Sequence, residues 1–126
     1  MIILDTSVMI ELIDGSEKGA KIREYLNNTK EDFAITVFTV HELLLPTTGR
    51  EKEKLEEMLS EFQIFSFTYE SSLESVRLNE QLKSNGTMLS KIDLFIASIC
   101  NAQKASLFTL DGDFKRINGL MTIDID

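Results

Sequence analysis

An α/β domain built on a mostly parallel sheet is what the sequence predicts, and three observations predict it. Short apolar runs suited to buried strands alternate with longer stretches of helical periodicity. The chain has 126 residues, which at roughly 100–200 residues per domain makes a single domain over residues 1–126. One proline, six glycines and no low-complexity tract leave no linker, repeat or composition break to divide it.

The elements follow in order. Ile2-Ile-Leu4 reads as a short buried strand, followed by helical segments near 6–13 and 17–28 that Asp14-Gly15 separates by its turn chemistry. Phe33-Ala-Ile-Thr36 reads as a second strand. An apolar helix over 37–48 is ended or kinked by Pro46 and Gly49. Leu55, Met58, Leu59 and Phe62 recur at i, i+3, i+4 and i+7, which predicts an amphipathic helix over 50–61. A third strand covers 63–67, and a helix over 70–84 stops at Asn85-Gly86. A helix over 91–103, a strand at 106–110 and a last short strand at 121–125 complete the pattern.

Composition excludes several classes of function. A single cysteine rules out a disulfide framework or a Cys-rich zinc module, and a single histidine, His41, argues against a His-based zinc site or a Ser/His/Asp triad. The apolar runs are only a few residues long, so no membrane span is expected. The opening Met-Ile-Ile-Leu-Asp-Thr-Ser lacks a basic n-region and a cleavage site, so a soluble, cytoplasmic protein is expected. The formal net charge is −8, and neither half of the chain is basic. Nucleic acid is therefore not bound by charge alone, because phosphate attraction needs a basic face.

Most of the 21 acids sit on solvated faces, as Glu51, Glu53, Glu56, Glu57 and Glu61 do among Lys52 and Lys54. Four differ, each lying in or at the end of an apolar run. Asp5 ends the first strand, where open α/β sheets bind ligands; alternatively it caps the helix from Thr6. Asp111 ends Leu107-Phe-Thr-Leu110 in the same way, and Asp111-Gly112 is also a good turn pair. Asp113 suits either a further ligand or a solvated turn. Glu42 shares a helix face with Phe38 and Leu45, unless Thr39-x-x-Glu42 is a capping box. Asp93 shares a face with Ile96, Ala97 and Cys100, unless Ser90-x-x-Asp93 caps the helix.

Four carboxylates facing inward with no buried Lys or Arg beside them would repel and protonate. A divalent cation removes that conflict, and an all-oxygen donor set selects Mg²⁺ or Mn²⁺ over Zn²⁺. The chemistry implied is hydrolysis of a phosphodiester, with phosphatase action the neighbouring option. Cys100 reads as a small buried hydrophobe and His41 as a non-catalytic helix residue.

The ordered set of motifs resembles the PIN-domain family, and more narrowly the small VapC-type ribonuclease toxins of bacterial and archaeal toxin–antitoxin pairs. Ile3-Leu-Asp-Thr-Ser-Val8 resembles the family's opening strand and first acid, and Val40-His-Glu-Leu-Leu44 its second. Lys91-Ile-Asp-Leu-Phe-Ile-Ala-Ser98 resembles the third, and Phe108-Thr-Leu-Asp-Gly-Asp-Phe114 the closing motif. The resemblance gives Asp5, Glu42, Asp93 and Asp111 the catalytic, metal-holding roles, adds Asp113 as a ligand, and leaves Ser7 and Thr109 in support. Two positions depart from it: Ser7 stands where Asn is common, and Leu110 where Arg is often found. It implies an α/β/α sandwich with strand order 3-2-1-4-5, which sets Asp5 beside Asp111.

The function expected is a Mg²⁺- or Mn²⁺-dependent endoribonuclease, with RNA as substrate, a homodimer as its form and a cognate antitoxin as partner. Sparse basic residues such as Lys91, Lys115 and Arg116 would be paired into a groove by the dimer. The alternative is a non-catalytic module of the same fold serving in a protein or RNA assembly. A phosphoacceptor receiver domain is a poor fit, since Ile123-Asp-Ile-Asp126 offers no lysine after the late strand.

Overall fold

A computed structural model describes residues 1–125; Asp126, the last residue of the predicted domain, lies outside them. Five strands form one parallel sheet: β1 (Ile2–Leu4), β2 (Phe33–Thr36), β3 (Gln63–Phe65), β4 (Ser106–Phe108) and β5 (Thr122–Ile123). Their spatial order is β3-β2-β1-β4-β5, as the resemblance implies. The six helices are α1 (Thr6–Asp14), α2 (Glu17–Asn28), α3 (Val37–Leu44), α4 (Gly49–Leu59), α5 (Tyr69–Ser84) and α6 (Lys91–Gln103).

Side chains alternate across a strand, so the central β1 feeds two separate cores. Ile3 and Leu107 pack with Leu78 and Leu82 of α5 and with Ile96, Ile99 and Cys100 of α6. Ile2, Leu4 and Phe108 face the other way, onto Val8 and Met9 of α1, Ile22 of α2 and Leu59 of α4. The helices therefore cover both faces of the sheet, which is the α/β/α sandwich. Among the described residues no helix is long and apolar enough to cross a membrane.

Five details differ from expectation. The strands expected over 63–67, 106–110 and 121–125 are shorter. β4 pairs with β1 only from Ser106 to Phe108, because β1 itself is three residues long. Beyond Phe108 the backbone turns to side-chain partners instead. α3 stops at Leu44 rather than near 48: Pro46 has no N–H to continue the ladder, and Thr47 bonds back to the Leu44 carbonyl through both its amide (3.0 Å) and its hydroxyl (2.8 Å). A short 3-10 helix over Gly112–Arg116 replaces the plain turn expected at Asp111-Gly112, with the Asp111 carboxylate accepting the Asp113 N–H at 2.9 Å.

α1 and α2 meet closely at Gly19. α1 ends at Gly15 in the left-handed conformation (φ 65°), and Ser16 caps α2 by accepting the Gly19 N–H at 3.0 Å. A Cβ on Gly19 would lie 2.2 Å from the Glu11 carbonyl oxygen, which is backbone and cannot swing aside. Gly19→Ala is therefore expected to force the two helices apart at about 1–3 kcal/mol, outweighing the roughly 1 kcal/mol gain in helix propensity. A thermal melt should fall by several degrees; a melt at or above wild type would show that α2 shifts freely.

Candidate active site

The site forms at the carboxyl end of the sheet, where β1 and β4 lie side by side. Asp5 follows β1 and is tied to β4 by its own N–H, which donates to the Phe108 carbonyl at 2.9 Å. Its side chain is only 6% exposed. Two hydroxyls hold it: Thr109 donates to Oδ2 at 2.7 Å and Ser7 to the same oxygen at 3.2 Å. Each hydroxyl is oriented by a backbone amide that it accepts. The Asp111 N–H reaches Thr109 Oγ1 at 3.1 Å, and the Leu110 N–H reaches Ser7 Oγ at 3.0 Å. With those lone pairs occupied, the hydroxyl protons are free to point at Asp5. Although Asp5 occupies the N-cap position of α1, its side chain makes no capping bond.

Burial pushes the Asp5 carboxyl above the usual carboxylate range. The hydrogen bonds from Thr109, the Thr6 amide and Ser7 pull it back, and the charge of Glu42 adds to the rise. Asp93 is also raised, by burial first; a hydrogen bond from Ser90 opposes this, and the charges of Asp5, Asp111 and Glu42 reinforce it. Asp93 thus feels all three of the other acids singled out in the sequence. Its backbone N–H meets Ser90 Oγ at 3.2 Å, so the Ser90 cap exists alongside this coupling rather than instead of it.

Glu42 differs from its sequence reading. α3 is capped by Thr36, which accepts the Thr39 N–H at 3.4 Å, so Glu42 is mid-helix and no Thr39 capping box forms. The face it shares with Leu45 opens to solvent, however: Glu42 is exposed and Leu45 is 72% exposed. The four carboxylates expected to face inward are thus one buried (Asp5), two half-buried (Asp93, Asp111) and one exposed (Glu42). Thr6 holds Glu42 in place, donating to Oε1 at 2.7 Å while its oxygen sits 3.0 Å from Thr39 Oγ1. Asp113 stays apart: it is exposed and pairs with Arg116 at 3.2 Å.

Two features of the site have no clear signal in the sequence. One is the hydroxyl pair Thr6 and Thr39, legible only as helix starts. The other is an aromatic trio beneath the acids. Phe95 of α6 packs on Phe67 and Phe38 with ring centroids 4.6 and 5.7 Å apart, and Phe38 meets Phe67 at 5.9 Å. Phe38 and Glu42 share one face of α3, while Phe95 lies two residues after Asp93. The trio therefore fixes the helix carrying one acid against the helix carrying another.

The donors are all oxygens, and they surround a buried carboxylate that lacks a compensating cation. That set fits a hard divalent ion in charge and chemistry. It is not a finished chelate: among the described residues, no group of three or more His, Cys, Asp or Glu side chains is placed to hold a metal ion as it stands. Of the two other reactive side chains, Cys100 is fully buried, and burial pushes its thiol up, out of reach as a nucleophile. His41 is exposed on α3.

Comparison with known proteins agrees with this architecture. A chain of the VapBC2 complex of Rickettsia felis, solved on a promoter DNA fragment, is 26% identical with a TM-score of 0.82, and all of each chain is covered. A chain of the VapBC-1 complex of nontypeable Haemophilus influenzae has a TM-score of 0.84 at 22% identity, covering 98% of both chains. The VapC20 toxin of Mycobacterium tuberculosis, described as cleaving the sarcin–ricin loop, shares the fold at 14% identity and a TM-score of 0.74, covering 99% of this chain and 100% of its own. No curated protein matches the sequence. The sequence profile of the PIN domain matches residues 2–120, nearly the whole length, and the chain belongs to the PIN-domain family of nucleases.

Proposed function

We propose that this chain is a divalent-metal-dependent endoribonuclease, the toxin of a toxin–antitoxin pair acting in the cytoplasm. The observation that carries the reading is the buried Asp5 carboxylate, held by Thr109 and Ser7 where β1 and β4 of a PIN-family sheet lie side by side, with Glu42 bonded to the neighbouring Thr6. Asp5, Glu42, Asp93 and Asp111 would hold Mg²⁺ or Mn²⁺, with Asp113 at the outer edge. When bound, such an ion supplies positive charge against the phosphoryl oxygens and lowers the pKa of water. The chain's own residues do the rest. Thr109 and Ser7 keep the Asp5 carboxylate turned to one orientation, and Thr6 does so for Glu42. The RNA phosphorus takes a water oxygen in line with the oxygen that leaves.

Two partners belong to this reading. The VapBC complexes that share the fold pair a toxin with an antitoxin, and a cognate antitoxin is proposed here too. A homodimer is proposed as well. Tyr69, Leu73 and Val76 lie at i, i+4 and i+7 along α5 and are 73, 56 and 59% exposed, an apolar stripe suited to a second copy. Light scattering at tens of micromolar should give the dimer mass, and a monomer mass there would count against the second copy.

Asp93→Asn tests the site. Purified wild type should cleave single-stranded RNA with Mn²⁺ or Mg²⁺ and stop in EDTA, while the folded variant should not cleave. RNA cleavage that EDTA leaves intact would overturn the metal-dependent reading; no cleavage under any condition would favour the non-catalytic module. At one hundred times its dissociation constant the ion should add about 2.7 kcal/mol to the wild type, roughly 5–10 °C of melting temperature, and little to the variant.

The metal-free melt has a definite pH dependence. Asp5 and Asp93 both have folded values above the unfolded one, so the folded chain holds more protons in that window. Their contribution to stability is present below about pH 4 and is lost as pH rises through the raised values. In EDTA, Asp93→Asn should melt above wild type at neutral pH and lose that advantage near pH 4. A variant less stable at every pH would mark Asp93 as a helix-capping residue only.

A further inference from the structure

A cleft of about 310 Å³ opens beside the acids, between the first turn of α2 and the 3-10 helix. It shares Thr109 and Asp111 with the candidate active site, so the two are continuous. Its size lies at the lower end of ligand pockets, enough for a phosphate and its sugar. Gly112 lines it with a bare backbone: a Cβ there would meet nothing within 4 Å, so a bound group can come close. Two lysines supply its positive charge, Lys18 from α2 and Lys115 from the 3-10 helix, beside the carboxylates of Asp111 and Asp124, while Leu110 contributes none.

The ion pairing of these residues matters. Arg116 is committed to Asp113 at 3.2 Å and to the Met88 carbonyl at 3.0 Å. Lys115 pairs with Asp124 at 3.3 Å, but both side chains are more than half exposed, and a pair in that setting is worth little and exchanges easily for a phosphate. Lys18 has no ion-pair partner among the described residues and stands over the cleft. An RNA strand crossing four carboxylates on a chain of net charge −8 needs cations close to the acids to hold it.

Resting on the ribonuclease reading above, we infer that Lys18 and Lys115 form a subsite for the RNA backbone phosphate next to the one being cleaved. They are positioning residues: they grip the strand so that the adjacent phosphodiester lies over Asp5, Asp93 and Asp111. Thr109 links the two regions, since the hydroxyl that orients Asp5 also accepts the Asp111 N–H at the edge of the cleft.

The test uses steady-state cleavage of a single-stranded RNA in Mn²⁺ by wild type, Lys18→Ala, Lys115→Ala, the double variant, Lys18→Arg and the distant control Lys83→Ala. Each alanine should raise KM by roughly 3–10-fold, and kcat should stay within about twofold. The fall of log(kcat/KM) with log salt should become shallower by about 0.7 for each lysine removed. Lys18→Arg and Lys83→Ala should behave as wild type. The Mn²⁺-induced rise in melting temperature should survive in the double variant, showing that the acids still bind the ion. A wild-type KM and salt slope in the double variant overturn the subsite alone, as does a loss of kcat with KM unchanged. A wild type that neither binds nor cleaves RNA overturns the ribonuclease reading and the subsite together.

Discussion

The buried carboxylate of Asp5 is the constraint around which the rest of this structure is arranged. A charge taken out of water without a partner is expensive, and among the described residues no lysine or arginine pairs with it. Hydroxyls answer it in part, and they come from two places at once: Ser7, the second residue of α1, and Thr109 just past β4. That requires β4 to lie next to β1, which the 3-2-1-4-5 order supplies. It also shapes the chain after β4. The amides of Leu110 and Asp111 turn inward to the same two hydroxyls, so the backbone leaves the sheet and delivers the Asp111 side chain beside the site. Hydrogen bonds to a charged group are worth about 1.5–3 kcal/mol each, and here they leave the proton affinity of Asp5 raised.

The other acids are held more loosely, by a different device. Phe38, Phe67 and Phe95 pack α3 against α6 through their rings, while Glu42 accepts a hydrogen bond from Thr6 and Asp93 stands half-buried beside the Ser90 cap. The result is one buried acid held by two hydroxyls, an exposed one held by a single hydroxyl, and two half-buried ones. On the proposed reading, such a site would recognise a cation by charge and donor type more than by cavity shape. It also explains how the acids can be electrostatically coupled while no three of them form a chelate among the described residues.

The parts legible in the sequence are those that depend on local pattern. Ile2-Ile-Leu4 before Asp5 and Leu107-Phe108 before Asp111 mark strand ends directly, because a buried parallel strand is an apolar run and its carboxyl end is where polar residues begin. Ser90 before Asp93 marks a helix start. What the pattern could not supply is what lies outside each helix. Glu42 has Phe38 and Leu45 on its own face, as a buried acid would, yet Leu45 is solvent-exposed because no element covers α3 there. The 3-10 helix after Asp111 has no sequence signal for a related reason: its start is set by the Asp111 cap, and its position in part by the Ser7 hydroxyl, 103 residues from Leu110. Thr6 stands beside Asp5 in sequence, but only the fold brings it to Glu42; Lys18 lies in no run that sets it apart, and only the fold brings it to the cleft.

The negative charge that first argues against nucleic acid takes on a different meaning in this arrangement. On the proposed reading, Asp5, Glu42, Asp93 and Asp111 repel a phosphate backbone as strongly as they repel one another, and a cation relieves both repulsions at once. Ion and RNA are then coupled ligands, and the coupling is reciprocal: whatever factor the ion adds to RNA affinity, RNA adds to the affinity for the ion. A loosely held set of acids suits such coupling, because a finished chelate would bind the ion fully without RNA and leave nothing for the substrate to reinforce. On that reading, the open placement of Glu42, Asp93 and Asp111 around a buried Asp5 would tie catalytic competence to the simultaneous presence of metal and strand.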